Sequence, residues 1–190
     1  LTDCNDTIAK HVIAANPWAR FDIYAALTAD VSSEAERHRM EADVRYNGAC
    51  VAAVRVESNA AVSYSVRRDA PRLSSLPAGR GTATGKATNI VKMFRGIGRA
   101  WKLLEEHVKA QDAACSNLSA SAPASHAERV GARYDLVLRL RPDLCFCGPL
   151  DLSSALARPG NLWLPWAEPS ASLAFDQIAV GSAAMLSLYA

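Results

Sequence analysis

Two arginines and an aspartate recur at every second position near the end of an apolar stretch. Arg139, Arg141 and Asp143 alternate with leucines, so a strand would place the charged side chains on one face and the leucines on the other. Pro142 would end strand pairing where these charges gather. Because a guanidinium group beside an apolar core needs an anion, and one carboxylate cannot neutralise two such groups, the pattern predicts a site for an external anion such as a phosphate.

An ordinary ion-pair cluster at the end of the strand is the structural alternative. Such a cluster would hold neighbouring loops in place, and networks of this kind resemble functional sites in their charges. The two interpretations differ in whether loss of one arginine weakens the binding of a ligand or the stability of the fold.

A second group of basic residues lies on the strongest helical pattern, at 88–110, whose apolar stripe we interpret as core. Lys92 and Arg95 lie near the start of this helix, where either could reach an anion. Gly96 and Gly98 each lower helix stability by about 1 kcal/mol relative to alanine, so we expect the helix to pack closely against another element there.

The remaining patterns alternate between helix and strand, which is typical of an α/β fold. Short apolar runs predict strands at 21–27, 49–57, 134–141 and 161–166. Helical spacing behind a capping residue predicts helices at 6–15 and 32–43. Asp22, at the start of a strand, is interpreted as a solvated or capping group.

Two further features concern domain organisation. Residues 58–86 are rich in Ser, Arg, Pro and Gly, which favours a flexible loop. Since neither internal repeats nor a second core are evident, we expect one domain over 1–190. The chain opens at Leu1 without a methionine and ends in an apolar run, so we expect a fragment truncated at both ends.

Composition argues against several classes of protein. The 190 residues include 21 basic and 19 acidic side chains, a formal net charge of +2, so no global field would attract nucleic acid. No run of 18 apolar residues exists, and no membrane span is predicted within the chain. The five cysteines lack Cys-x-x-Cys spacing, which argues against zinc, and we interpret Cys145 and Cys147 as small apolar residues.

Five segments, in order along almost the whole chain, resemble glycosyltransferase-like proteins of the GT-A type. They are Phe21-Asp-Ile-Tyr24, Val91-Lys-Met-Phe94, the segment 134–144, Trp163-Leu-Pro165 and the segment 175–182. The most specific parts are Arg-Leu-Arg-Pro-Asp at 139–143 and Asp-Gln-x-Ala-x-Gly-Ser at 176–182.

The resemblance implies a single GT-A-like (Rossmann-like) domain with a mixed sheet flanked by helices. It implies a transferase that moves a sugar from a nucleotide-sugar donor to a glycan or protein acceptor, in the secretory pathway (Golgi or ER lumen). The family's first strand, which contacts the nucleotide, would precede Leu1. A catalytically silent GT-A-like domain that binds a glycan or a partner protein is the alternative.

The resemblance also suggests roles for individual residues. The expected donor-phosphate ligands are Arg139, Arg141 and Lys92, and the expected catalytic acids are Asp143 and Asp176. The metal motif departs from the family pattern, because GT-A enzymes usually carry Asp-x-Asp and this chain has Arg-Pro-Asp. Either Asp143 binds Mn²⁺ or Mg²⁺, with water and phosphate completing the shell, or Arg139 and Arg141 take the place of the cation.

Overall fold

The computed structural model describes residues 6–45, 48–69, 83–115, 125–141, 144–164 and 178–188. Its strands are β1 (Asp22–Ala29), β2 (Cys50–Ser58), β3 (Val137–Leu140) and β4 (Ile178–Gly181). A short π-helix (Ala9–Ile13) is followed by α1 (Glu34–Asp43), α2 (Asn59–Asp69), α3 (Ala83–Cys115), α4 (His126–Gly131), α5 (Ser153–Leu156) and α6 (Ala183–Ser187). The predicted mixed α/β class is confirmed, with β1–β2 a parallel pair and β3–β4 an antiparallel one.

The chain divides into two compact units, and the expectation of one domain over 1–190 stays a prediction. The first unit comprises Leu1–Ile23, Arg45–Val51 and Leu104–Ala190, and the second comprises Tyr24–Val44 and Ala52–Leu103. Each has buried apolar residues of its own, such as Val130 in the first and Val62 in the second. The buried apolar residues of the chain therefore form two sets of packing contacts, one within each unit.

The β3–β4 pair organises the first unit. Its register pairs Val137 with Gly181, Leu138 with Val180, Arg139 with Ala179 and Leu140 with Ile178. Trp163 adds an isolated antiparallel bridge to Val180. Helices α5 and α6 contact β4, and α6 also contacts α4. The apolar core beneath this sheet is a cluster of Leu152, Ala155 and Val180, against which Leu136, Leu138 and Trp163 pack.

A fully buried asparagine ties the N-terminal helical segment to the rest of the first unit. The Asn16 side-chain amide donates to the carbonyl oxygens of Val12 and Leu150, both at 2.7 Å. Its Oδ1 accepts a hydrogen bond from the backbone N–H of Leu152 at 3.0 Å. One side chain therefore satisfies polar backbone groups of two segments that lie more than 130 residues apart.

Local sequence explains how the second unit forms its elements. Val51, Val54 and Val56 favour β2, and Val56 is buried. Helix α1 begins at Ser33, whose side chain accepts from Glu36 N–H, and acidic residues in its first turn complement the helix dipole. Glu41 Oε1 accepts from Val56 N–H at 2.9 Å, which links α1 to β2.

Two expected strands are shorter than predicted. Of 134–141, only Val137–Leu140 forms β3, because the N–H groups of Arg133 and Tyr134 donate to Val130 O and close the end of α4. In 161–166, Trp163 contributes an isolated bridge, and positions 165–166 lie outside the described residues. The strands expected at 21–27 and 49–57 are confirmed to within two residues at each end.

The expected loop at 58–86 is helical over much of its described part. Helix α2 occupies Asn59–Asp69, and α3 already begins at Ala83. Ser58 Oγ accepts from Ala61 N–H at 3.1 Å and so caps the start of α2. Ser58 and the apolar Val62 are a short helix signal that the polar composition of the stretch conceals. The helix predicted at 88–110 is confirmed and extends to Cys115.

Among the described residues, no helix combines the length and the hydropathy that a membrane crossing requires.

Candidate functional site

The arginines of the predicted anion site lie at the carboxyl end of β3. Arg139 is within the strand opposite Ala179, and Arg141 directly follows it. Both residues are half-buried. Leu136 and Leu138 pack against the buried cluster on the opposite face, so the predicted separation of an apolar and a charged face is confirmed for the described part of the strand.

The β3–β4 register brings together the two most specific segments of the glycosyltransferase resemblance. Leu140, the last residue of β3, lies opposite Ile178, the first residue of β4. In the sequence, Asp143 follows Leu140 by three residues and Asp176 precedes Ile178 by two. Asp143 and Asp176 themselves lie outside the described residues, so their roles stay predictions.

Lys92, the third expected phosphate ligand, lies on α3 in the second unit. Its side chain is half-buried. Arg139 and Arg141 belong to the first unit. A shared role for Lys92 and the two arginines therefore stays a prediction.

Asp22 has a different environment from the solvated one expected. Its side chain is 20% exposed, and its Oδ2 accepts a hydrogen bond from the Tyr134 hydroxyl at 3.0 Å. Its Oδ1 is buried and has no hydrogen-bond partner within the described residues, with Arg20 Nε at 4.0 Å. Asp22 and Tyr134 are 112 positions apart, and neither periodicity nor spacing indicates such a pair.

A second charged cluster, in the second unit, was missed by the sequence analysis. Arg99 and Glu57 form an ion pair in which both side chains are mostly buried. Burial, and then the repulsion of nearby Arg55, lower the pKa of Arg99 below its ordinary value. Both effects disfavour the charged form of Arg99, and Glu57 opposes them. We therefore assign the pair a structural role, since a buried guanidinium group requires a carboxylate.

Gly96 lies beside this ion pair and contradicts the expected close packing. A Cβ atom at Gly96 would meet nothing within 4 Å. A small cavity lies there, lined also by Thr28, Arg55, Glu57 and Arg99. The glycine is therefore not required by an approaching helix or strand.

Three carboxylates at helix starts have pKa values below their ordinary range. Hydrogen bonds from Ser32 lower the pKa of Glu36, those from Ser125 lower the pKa of Glu128, and those from Ser153 lower the pKa of Asp151. In each case a local hydroxyl and a backbone N–H stabilise the ionised form. These groups are helix-capping carboxylates, and their pKa shifts have a structural cause.

The cysteines after β3 are not apolar filler. Cys145 is disulfide-bonded, and Cys147 has a free, exposed thiol. Between them, Phe146 N–H donates to Thr7 Oγ1 at 2.9 Å. Leu144 and Phe146 are half-buried while the two cysteines are exposed, so the cysteines are not packed into the core as small apolar residues.

The expected metal site involves a residue outside the described part of the chain. Within the part that is described, no three His, Cys, Asp or Glu side chains gather in a way that could hold a metal ion. Asp143, the expected ligand, is not in that part. A role for Mn²⁺ or Mg²⁺ stays a prediction from the resemblance.

Comparisons with protein-family models, with curated proteins and with solved structures find no match to this chain. The case for a function therefore comes from the residues of the chain and from the geometry of the β3–β4 pair.

Proposed function

We propose that this chain is a GT-A-like glycosyltransferase domain that moves a sugar from a nucleotide-sugar donor to a glycan or protein acceptor. The observation that carries the proposal is the register of β3 and β4, in which Leu140 lies opposite Ile178. The chain therefore leaves β3 and enters β4 at the same end of the sheet. The two segments with the most specific resemblance converge at that end.

The arginines fit the chemistry of a diphosphate. A guanidinium group can donate two parallel hydrogen bonds to phosphate oxygens, and such charge-assisted bonds are stronger than neutral ones. Negative charge develops on the nucleoside diphosphate as the bond to the sugar breaks, and cations held in place beforehand stabilise that transition state. Arg139 and Arg141, half-buried at the end of β3, are the groups that we assign to this task.

Asp143 and Asp176 are the acids of the proposed reaction. We assign Asp143 to a sugar hydroxyl or to a divalent cation, and Asp176 to the acceptor or the donor sugar. A bound Mn²⁺ or Mg²⁺ would supply further positive charge against the diphosphate. The arginines would orient the same group through their hydrogen bonds, whether or not a metal is present.

The test is a panel of nucleotide sugars, assayed for binding and for turnover with and without Mn²⁺. Arg141→Ala should weaken nucleotide-sugar binding by about 1.5–3 kcal/mol, because a charge-assisted hydrogen bond is lost. Its melting temperature should stay close to that of the parent protein. Arg39→Ala is the matched control, since Arg39 is 83% exposed on α1, and it should leave both properties unchanged.

Asp143→Asn separates catalysis from binding. The change is nearly isosteric, so it should abolish turnover and any dependence on Mn²⁺ while nucleoside binding survives. Binding without turnover in the parent protein would favour the catalytically silent alternative. If Arg141→Ala and Asp143→Asn both lower the melting temperature and leave affinity unchanged, the arginines belong to an ion-pair cluster and the proposal is wrong.

A further inference from the structure

Ala179 lies directly opposite Arg139 in the β3–β4 pair. Directly opposed residues of an antiparallel pair project from the same face of the sheet, with their Cβ atoms about 4.5–5.5 Å apart. The next pair, Leu138 and Val180, projects from the other face, where Leu138 packs against the cluster that contains Val180. Arg139 and Ala179 are therefore close neighbours on the face that points away from this cluster.

Ala179 is completely buried although it lies on the face away from the cluster. Its exposed fraction is 0%, whereas Arg139 is half-buried. Arginine buries its methylene stem along apolar surface and keeps its charged head in water. A fully covered methyl group beside a half-covered arginine is the arrangement expected when the stem of the arginine lies across the methyl group.

The presence of alanine at this position of β4 has a steric reason on this account. Alanine is depleted in strands, while the flanking Ile178 and Val180 are of the β-branched type that strands favour. A β-branched side chain at position 179 would fill the space beside the Cβ atom of Arg139 and force the stem away from β4. The small side chain of Ala179 leaves that space to the stem.

We propose that Ala179 is a positioning residue for Arg139, which sets the direction in which the guanidinium group leaves the sheet. Hydrogen bonds or ion pairs of the guanidinium group do not conflict with this role, because Ala179 acts on the stem and not on the charged head. The effect on the stem is independent of the proposed glycosyltransferase activity. Its consequence for the binding of a diphosphate rests on that proposed function.

The first test follows the Arg139 guanidinium group without a ligand. Ala179→Val adds two methyl groups on this face and should lift the stem toward water, so phenylglyoxal should modify Arg139 at least about twofold faster than in the parent protein. Peptide mass spectrometry measures the rate at this residue. Ala155→Val is the matched control, because Ala155 is 5% exposed and belongs to the cluster on the other face.

A milder variant keeps this test decisive where valine at position 179 prevents folding. Ala179→Ser adds a single oxygen atom, and the rate at Arg139 should rise by a smaller factor in the same direction. The inference is overturned if the rate at Arg139 rises in neither variant, or if it rises equally in Ala155→Val.

The second test links the direction of Arg139 to the proposed anion site. Inorganic pyrophosphate is the probe, since it is the diphosphate group on which the proposed function depends. Ala179→Val should weaken pyrophosphate binding about five- to tenfold, because the hydrogen bonds of the guanidinium group are misdirected. The same change should have no effect in an Arg139→Met background, and Ala155→Val should leave the affinity unchanged.

The outcomes separate the two proposals. An equal loss of pyrophosphate affinity with and without Arg139 overturns the positioning role of Ala179. If the parent protein does not bind pyrophosphate while phenylglyoxal reacts as expected, the proposed function loses its anion site and the effect of Ala179 on Arg139 stands.

Discussion

Asn16 shows how much of this fold depends on one buried polar side chain. Its amide and carbonyl groups together bond to Val12, Leu150 and Leu152. Because the side chain is fully buried, water cannot replace these bonds if they are removed. The cost of a substitution is then the cost of leaving backbone groups unsatisfied.

Asn16→Ala should lower the free energy of unfolding by about 3 kcal/mol, since several buried backbone groups lose their partner at once. Urea denaturation measures the change. Asn161→Ala is the control, because Asn161 is exposed and a substitution there should change stability by less than about 0.5 kcal/mol. An Asn16→Ala protein as stable as the Asn161→Ala protein would contradict the bridging role.

Residue-level prediction from sequence succeeded where a single local pattern decides the outcome. Alternation predicted that Leu136 and Leu138 face the core and that Arg139 lies on the other face, and the structure agrees. It failed for Asp22, whose partner Tyr134 is distant in the sequence. Hydrogen bonds between distant segments leave no periodic signal, so the functional roles of Asp143 and Asp176 cannot be deduced from alternation either.

At the scale of elements, tight packing occurs where α6 meets the end of β4. A Cβ atom on Gly181 would lie 3.2 Å from Asn161 O, 3.2 Å from Leu186 Cδ2 and 3.4 Å from Met185 Cβ. The two distances of 3.2 Å are shorter than ordinary van der Waals contacts, and one of these two atoms, Asn161 O, belongs to the backbone. The glycine therefore permits the tight turn from β4 into α6.

Gly181→Ala should destabilise the protein by about 1–3 kcal/mol, because the added methyl group overpacks this junction. Gly160→Ala provides a matched control, since a Cβ atom there would meet nothing within 4 Å. Thermal unfolding of the two variants gives the comparison. Equal melting temperatures would show that α6 moves away from β4 without cost.

The start of α4 should make part of the stability dependent on pH. Ser125 and Glu128 form a reciprocal capping box, and hydrogen bonds from Ser125 lower the pKa of Glu128 in the folded chain. The stability that ionised Glu128 contributes is therefore fully present above the pKa that Glu128 has in the unfolded chain. It is lost as the pH falls through the lower pKa that Glu128 has in the folded chain. At pH 7 the melting temperature of Glu128→Gln should be lower than that of the parent protein. The difference in melting temperature should disappear in strong acid. Glu106→Gln, a change at an exposed residue of α3, controls for the loss of one negative charge. If Glu128→Gln and the parent protein still differ in melting temperature in strong acid, the proposed mechanism is wrong.

Sequence predicted the long elements better than the short ones. The α3 pattern is strong enough to be recognised, and the valines of β2 are a clear strand signal. Helix α2 was hidden because it lies within the stretch 58–86, which is rich in Ser, Arg, Pro and Gly, although Ser58 supplies a cap and Val62 is buried. Strand β3 is shorter than its apolar pattern, since the end of α4 uses the N–H groups of Arg133 and Tyr134.

At the scale of the whole molecule, hydrophobic periodicity does not indicate the division into two compact units. Hydrophobic periodicity identifies residues that become buried, but it does not say which buried residues pack together. Three of the four boundaries between the units fall within continuous elements: between Ile23 and Tyr24 in β1, between Val51 and Ala52 in β2, and between Leu103 and Leu104 in α3. No change of composition marks these positions, so a search for linkers could not find them.

The Arg99–Glu57 ion pair tests whether the second unit has a stability of its own. Glu57→Gln removes the carboxylate that faces the mostly buried guanidinium group of Arg99. Burial and Arg55 already disfavour the charged form of Arg99 and lower its pKa, so the loss of this partner should be costly. We expect a loss of about 1–3 kcal/mol, below the cost for a fully buried pair because both side chains keep some exposure to water. The exposed pair of Arg39 and Asp43, with side chains 83% and 72% exposed, is the control, and Asp43→Asn should have little effect.

Amide hydrogen exchange then shows in which unit Glu57→Gln lowers stability. Because Arg99 and Glu57 both belong to the second unit, amide exchange in Glu57→Gln should accelerate more within Tyr24–Val44 and Ala52–Leu103 than in the first unit. Asn16→Ala, which removes hydrogen bonds of the first unit, should accelerate amide exchange more in the first unit than in the second. If both variants accelerate exchange equally throughout the chain, the two units unfold as one cooperative structure, and the division seen in the packing has no counterpart in stability.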